Sequence, residues 1–248
     1  MSLTPPLYML QLQPDLPALL RFLAGQGHVH TADSDLGYGV HAWLAATFGK
    51  LAPRPFRLYL DGANRKPPKL LAYTHHSRDR LLEHAQSFAE PAARAVCALD
   101  DHLTLAELPG PDAWRPGRRL GFEVLACPVA RRARDGVERD WFLHQADRAG
   151  PDSRLDRATT YGEWLAIRFQ SAASLESANL TQFQFVSLMR QSGASGHRQR
   201  RRSQLIRPAA LLQGVLHIQD GDRFQSLLAN GVGRHGAFGY GMLLLRPI

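Results

Sequence analysis

The order in which apolar segments recur constrains this chain more than any single motif. Leu7–Leu12 is a short apolar run ended by Pro14, and it reads as a strand. Leu16, Leu19, Leu20 and Leu23 then follow at helical spacing between Asp15 and Ala24. A second helix is predicted from about Asp35 to Phe48, with Asp33 or Ser34 as its cap and Gly49 at its close. Phe56–Leu60 and Leu70–Tyr73 read as strands on either side of the polar turn Asp61–Pro68. A helix from about Arg78 to Cys97, kinked or broken at Pro91, leads to a strand at Leu103–Leu108. The order is βαββαβ, with the first helical position split in two.

The second half repeats that order. Pro109–Gly117 holds three prolines and two glycines and reads as a connection. Beyond it come a strand at Arg119–Cys127, a charged hairpin-like excursion at Ala130–Asp140 and an amphipathic helix at Thr160–Phe169. A strand at Thr181–Met189, a polar connection at Arg190–Arg207 and a strand at Ala209–Ile218 follow. A short helix at Asp222–Ala229, capped by Asp220 or Asp222, precedes an apolar strand at Met242–Leu245. The predicted fold is therefore α+β, with two tandem ferredoxin-like (RRM-like) domains at 1–110 and 118–248 and a linker at 111–117. In such folds the sheet face or the groove between domains is a common RNA surface.

Charge is distributed unevenly over this plan. Residues 1–110 carry ten basic and ten acidic side chains, whereas residues 111–248 carry twenty and twelve, so the whole excess of +8 falls in the second half. Every cation there is arginine, since the three lysines are Lys50, Lys66 and Lys69. An excess confined to one half points to a polyanionic partner for that half. A GC-rich genome accounts for the choice of arginine over lysine but not for its position. No apolar run approaches the ~18 residues of a membrane span and no secretory leader is visible, so a cytoplasmic protein without membrane contact is expected. Cys97 and Cys127 stand far apart in apolar surroundings and read as buried thiols.

Three groups of residues can carry chemistry. Tyr38 and His41 lie three apart on the Asp35–Phe48 helix, about 60° from one another at 100° per residue, and can reach one site. Val40, Leu44 and Phe48 form the stripe that would fix that helix on the core, with His41 at its edge. A histidine titrates near neutrality and can give or take a proton there. The same spacing also suits an interfacial histidine with no chemistry. Arg118, Arg119, Arg131 and Arg132 bracket the first strand of the second half and can line one RNA surface. Arg198, Arg200, Arg201 and Arg202, beside His197 and after Gly193, Ser195 and Gly196, form a basic run suited to a groove crowded with phosphates. Arg134 and Arg139 sit among Asp135, Glu138 and Asp140 and can simply pair with them.

The third group is GVGRHGAFGYGMLLL at Gly231–Leu245. Its five glycines allow close backbone approach, and successive N–H groups there can form an anion-binding nest. Gly231, Gly233, Arg234 and His235 are the candidate phosphate contacts; a tight turn before a strand is the plainer reading. No Walker, nucleophile-elbow or kinase pattern is present. His28 with His30, and His75 with His76, lack the partners of a zinc site, so neither a metal nor a cofactor is expected.

Three segments together resemble the CasE-type CRISPR repeat-RNA endoribonucleases. They are GVGRHGAFGYGMLLL, the YGVH of Tyr38–His41, and GFEVLACPVARR at Gly121–Arg132. The resemblance spans nearly the whole chain. It implies two ferredoxin-like domains and metal-independent cleavage at the base of a CRISPR repeat hairpin. A ribose 2′-hydroxyl attacks the adjacent phosphate and leaves 2′,3′-cyclic phosphate and 5′-hydroxyl ends. His41 matches the family's catalytic histidine and Tyr38 the tyrosine that positions the reacting groups. The crRNA product is kept in a surveillance complex with other Cascade subunits. The second half departs from some members in having no lysine to set near the scissile phosphate. A non-cleaving subunit that only binds the RNA hairpin, or a general DNA-binding protein, needs the basic half but not His41.

Overall fold

The computed structural model describes residues 5–27, 36–61, 66–150, 154–191 and 202–248, with the backbone alone at 188–191 and 202–204. Its first half contains β1 (Tyr8–Leu12), α1 (Leu16–Gly25), α2 (Gly37–Phe48), β2 (Phe56–Tyr59), β3 (Lys69–Thr74), α3 (Arg78–Phe88), α4 (Pro91–Arg94), α5 (Leu99–His102) and β4 (Thr104–Glu107). The strands pair antiparallel in the order β2-β3-β1-β4. The second half contains β5 (Arg119–Ala126), β6 (Val129–Arg131), β7 (Glu138–Asp140), α6 (Trp141–Ala149), α7 (Arg157–Phe169), β8 (Ala173–Gln191), β9 (Arg202–Ile218), α8 (Gly221–Asn230) and β10 (Leu243–Arg246). Here the sheet order is β10-β5-β9-β8. Counted within each half, both sheets run fourth-first-third-second, the ferredoxin-like arrangement.

Local chemistry accounts for the boundaries. Asp15, Ser77, Asp156 and Asp220 each accept a hydrogen bond from a first-turn amide of α1, α3, α7 and α8. The helix expected at Arg78–Cys97, kinked or broken at Pro91, is broken there outright. Ala89 and Glu90 are extended, as the residue before a proline prefers, and only single turns re-form at α4 and α5. The Asp33 and Ser34 caps expected for α2 lie outside the described residues; Leu36 stands at the start of that helix without a side-chain cap.

Two expectations for the second half are corrected. The strand expected at Thr181–Met189 begins eight residues earlier, at Ala173. Register shifts between Leu175 and Ser177 and between Leu180 and Gln182 insert one residue each, and this breaks the alternation on which a strand is recognised. Within the connection expected at Arg190–Arg207, the described residues 190–191 and 202–207 are strand as well. β8 and β9 pair as far as Gln191 opposite Arg202, so the hairpin extends beyond the sheet and its outer part carries polar residues. α6 was not expected from the sequence: none of its residues is buried, and its large apolar side chains, Trp141, Phe142 and Leu143, stand in succession at its start.

Core packing ties the two sheets together. Leu10, Leu19, Trp43, Leu44, Phe48 and Phe56 belong to one buried cluster in the first half. The larger second cluster takes in Leu7, Tyr73 and Trp114 together with Phe122, Trp164, Phe169 and Phe224. Trp114, from the proline-rich connection, meets Phe224 edge-on at 5.5 Å. Tyr59 donates to Glu123 Oε1 at 3.1 Å, and Gln213 donates to the other oxygen of that carboxylate at 2.7 Å. Cys97 and Cys127 are both buried and free. Among the described residues no helix is long and apolar enough to cross a membrane.

Candidate active site

α2 is fixed by its apolar face. Val40, Trp43, Leu44 and Phe48 are fully buried, and a side chain so placed contributes about 1.5–3 kcal/mol. The Trp43 indole N–H also donates to the Ala93 carbonyl at 2.9 Å. Tyr38 and His41 emerge from the other side of the helix with ring centroids 6.4 Å apart.

The glycine segment closes against this helix. Gly236–Phe238 forms a single 3-10 turn beside the start of α2. Gly37 makes the approach possible, since a Cβ there would lie 2.0 Å from the Phe238 carbonyl oxygen. The Phe238 ring lies 5.6 Å from Tyr38 and 5.7 Å from His235. His41, Tyr38, Phe238 and His235 thus form a continuous row of rings from the first half to the second. The structure unites two groups of residues that the sequence offered separately.

Within the loop the glycines serve packing. Gly233 has φ 81° and its missing Cβ would stand 2.7 Å from the Trp164 ring; Gly231 has φ 76°. The amides of Gly231, Val232, Phe238, Gly239 and Gly241 donate to protein carbonyls, so these five do not point at a ligand. His235 adopts a left-handed backbone, φ 68°. Its Nε2 lies 2.8 Å from Glu138 Oε2, and the side chain is only 12% exposed. Arg234 Nε donates to the other Glu138 oxygen at 2.6 Å while the arginine side chain stays 47% exposed. Arg207 Nε donates to Glu138 as well, at 3.3 Å. Glu138, 9% exposed, therefore joins the β6–β7 hairpin, the outer part of β9 and the glycine loop. Burial alone would raise its pKa, but His235, Arg234 and Arg207 outweigh burial and hold it below the usual carboxylate range.

His41 is held below the ordinary histidine value. Burial is the larger cause and the positive charge of Arg54 the second. The ring is thus neutral at physiological pH and ready to accept a proton. Tyr38 beside it can orient a hydroxyl or a phosphate oxygen. Among the described residues no three His, Cys, Asp or Glu gather as a metal would require. His28 and His30 lie outside the described residues.

The remaining candidates scatter. Arg118 lies over the Trp114 ring and donates to the Ala113 carbonyl at 3.0 Å. Arg119 makes a two-pronged ion pair with Glu176 at 2.8 and 2.6 Å. Arg131 donates to the Gly136 carbonyl at 3.3 Å, and Arg132 pairs with Asp135 at 3.1 Å. These four stand at the two ends of one strand. Arg118 precedes β5 and Arg119 opens it, whereas Arg131 and Arg132 lie beyond its far end, so the length of the strand, about 25 Å, separates the pairs. Only the second pair shares the end of the sheet that holds Glu138 and the glycine loop. Arg139 pairs with Asp147, while Asp140 receives Arg157 at 2.8 Å and the Tyr161 hydroxyl at 2.9 Å. Arg198, Arg200 and Arg201 lie outside the described residues; Arg202 is the first residue of β9.

Phe238, Glu138 and Arg54 were not among the residues the sequence singled out for function. Phe238 and Glu138 lie far from α2 in the chain and carry no local pattern. Arg54 did carry a signal: it stands between Pro53 and Pro55, which hold it on a stiff backbone.

Comparison with known proteins places this geometry among relatives. A family model described as CRISPR associated protein matches residues 7–247. No curated protein sequence matches the chain. Among solved structures, the chain is similar to CRISPR endoribonuclease Cse3 bound to 19 nt RNA, at 20% identity and a TM-score of 0.63. It is similar also to Thermus thermophilus Cse3 bound to an RNA representing a pre-cleavage complex, at 20% identity and a TM-score of 0.60. Both alignments cover 98% of this chain and 100% of the other. A chain of a CRISPR RNA-guided surveillance complex matches at 19% identity and a TM-score of 0.56, over 97% of this chain and 100% of that one. At such identities the likeness is one of fold.

Proposed function

The chain belongs to the CRISPR-associated protein family, and from that premise we propose that it is a sequence-specific endoribonuclease of CRISPR repeat hairpins, retaining the crRNA in a surveillance complex. The observation that carries this reading is the neutral His41 beside Tyr38, faced by Phe238 of the glycine loop. The solved relatives bound to RNA and within a surveillance complex support it at the level of fold.

In the proposed reaction the 2′-hydroxyl upstream of the cut attacks the adjacent phosphorus. His41 accepts the hydroxyl proton as the new O–P bond forms. The bond to the downstream 5′-oxygen breaks, and that oxygen takes a proton from solvent water to leave as a 5′-hydroxyl, the proton held by His41 returning to solvent. The upstream product ends in a 2′,3′-cyclic phosphate. The nucleophile belongs to the RNA, so the scheme requires no metal-bound water, and DNA cannot serve. Tyr38 positions the reacting groups. Residues 1–110 supply the catalytic helix, and residues 118–248 supply the hairpin-binding surface through Arg131, Arg132, the Arg198–Arg202 run and the exposed part of Arg234.

The test is cleavage of a labelled repeat hairpin in EDTA by the wild type beside His41→Ala. A parallel substrate carries a 2′-deoxy sugar at the cut. Cutting by the wild type, a loss on the order of 10²–10⁴-fold in the variant and none on the deoxy substrate are expected. Binding without cutting by the wild type would leave only a hairpin-anchoring role.

A further inference from the structure

A cleft of about 580 Å³ opens beside the row of rings, between the two halves. Its lining comes from the stretch after α2, from the end of β3 and the residues following it, from the end of α8, and from Gly236 and Ala237 of the glycine loop. Lys50, Arg54, His75 and His76 all face it, and among the described residues no carboxylate does. That composition differs from the second half, where nine of the described arginines, Arg119 and Arg234 among them, have a carboxylate or carbonyl partner. Its charged side chains come from the half whose net charge is zero, so overall charge gives no hint of it.

The cleft is held in shape. Pro53 and Pro55 are buried while Arg54 between them is exposed, so its guanidinium stands on an immobile segment. The Arg54 amide donates to the Tyr73 carbonyl at 3.1 Å, and the Tyr73 amide donates to the Pro55 carbonyl at 3.0 Å. His75 Nδ1 lies 2.9 Å from the Pro6 carbonyl. The His76 amide donates to Thr74 Oγ1 at 3.2 Å. Two permanent cations and two imidazoles on a fixed frame suit an anion.

Position narrows the choice of anion. Gly236 and Ala237 line the cleft, and the next residue, Phe238, packs on Tyr38. The charge of Arg54 is felt at His41. Yet neither Tyr38 nor His41 lines the cleft, so a group seated there is not the one His41 acts on. A single-stranded chain leaving the row of rings along the loop would enter the cleft with its next phosphates. We propose that Lys50 and Arg54 form a phosphate-binding subsite for the single-stranded RNA that flanks the scissile bond, distinct from the surface that holds the hairpin. The inference rests on the endoribonuclease reading above and extends it.

The test compares two repeat hairpins, both with a 2′-deoxy sugar at the cut. One continues past the cut as a single strand and the other ends there. Affinity is measured over a range of salt for the wild type and for the Lys50→Ala/Arg54→Ala variant. The variant is expected to bind the extended RNA on the order of tenfold more weakly, with its salt slope reduced by about 1.4, or 0.7 for each lost single-strand contact. It is expected to bind the short RNA as the wild type does, which also shows that it is folded. A Lys50→Arg/Arg54→Lys variant should restore most of the loss. Equal affinity of wild type and variant for the extended RNA would overturn the subsite, as would an equal loss on both RNAs. If the wild type binds neither hairpin, the functional reading itself fails and the subsite with it.

Discussion

Tyr73 donates its phenolic hydrogen to the Leu243 carbonyl at 2.7 Å, across 170 residues of chain. The bond runs from the first sheet to the edge strand β10 of the second, in a buried setting. It holds β10, and so the glycine loop that precedes it, at a set distance from β3. Tyr73→Phe removes the donor and leaves the carbonyl buried without it, at a cost of about 1–3 kcal/mol. Thermal denaturation should show the midpoint lowered by a few degrees; an unchanged midpoint would mean the halves are held by apolar packing alone.

Gly37→Ala tests the contact between α2 and the loop. The added methyl carbon would stand 2.0 Å from the Phe238 carbonyl, against backbone that cannot swing aside like a side chain. The loop must shift, and Phe238 with it. Displacement of about 1 Å can reduce a rate on the order of 10²-fold. Single-turnover cleavage should fall by that order while hairpin affinity changes far less. Wild-type cleavage would show that the loop does not form a wall of the site.

The pH dependence follows from the environment of His41. Burial first, and Arg54 second, hold its pKa below 6.5. If the neutral ring accepts the proton, kcat/KM, which reports the free enzyme, should rise through a pH below 6.5 and level off above it. Arg54→Ala removes a repulsion that disfavours the imidazolium ion. The rise should therefore move to higher pH, yet stay below 6.5 because the larger cause remains. A profile that moves to lower pH, or does not move, would contradict this arrangement.

Glu138→Gln tests the clamp on the glycine loop. It removes the one negative charge shared by Arg207, Arg234 and His235. A stability loss of about 1–3 kcal/mol is expected at pH 7. The carboxyl is held below its ordinary value when folded, so its stabilisation is complete above that value and is lost as pH falls through the folded one. Denaturant midpoints of wild type and variant should therefore differ at pH 7 and converge as the pH falls well below 4.5. A gap that widens on acidification would reverse the sign of the argument.

What the chain reveals without its structure depends on how local the causes are. The stripe Val40, Leu44, Phe48, the leucine spacing from Leu16 to Leu23 and the cap Asp220 act within a few turns, and α2, α1 and α8 could be read from them. Pro91 marked the break after α3 because a proline restricts its own neighbours. The element order alone was enough for both ferredoxin-like sheets. β8 was half hidden because two inserted residues put its alternation out of step. The polar stretch around Arg202–Arg207 reads as a loop by composition, whereas pairing with β8 makes it strand.

For the candidate site the division is similar. Tyr38 and His41 share a helix face by arithmetic. Their meeting with Phe238 depends on two sheets packing together, and no window of sequence contains that fact. Glu138 was visible as an acid among arginines, but its partners proved to be Arg207, Arg234 and His235 rather than its neighbours.

The row of rings from His41 to His235 has a consequence for biosynthesis. The histidine helix is complete once about fifty residues have emerged from the ribosome, but the loop that faces it follows nearly two hundred residues later. A nascent chain thus carries His41 for most of its synthesis without the loop that faces it. The loop is anchored to the second sheet through the pairing of β10 with β5, and a chain clipped before Gly231 keeps His41 but not its facing loop.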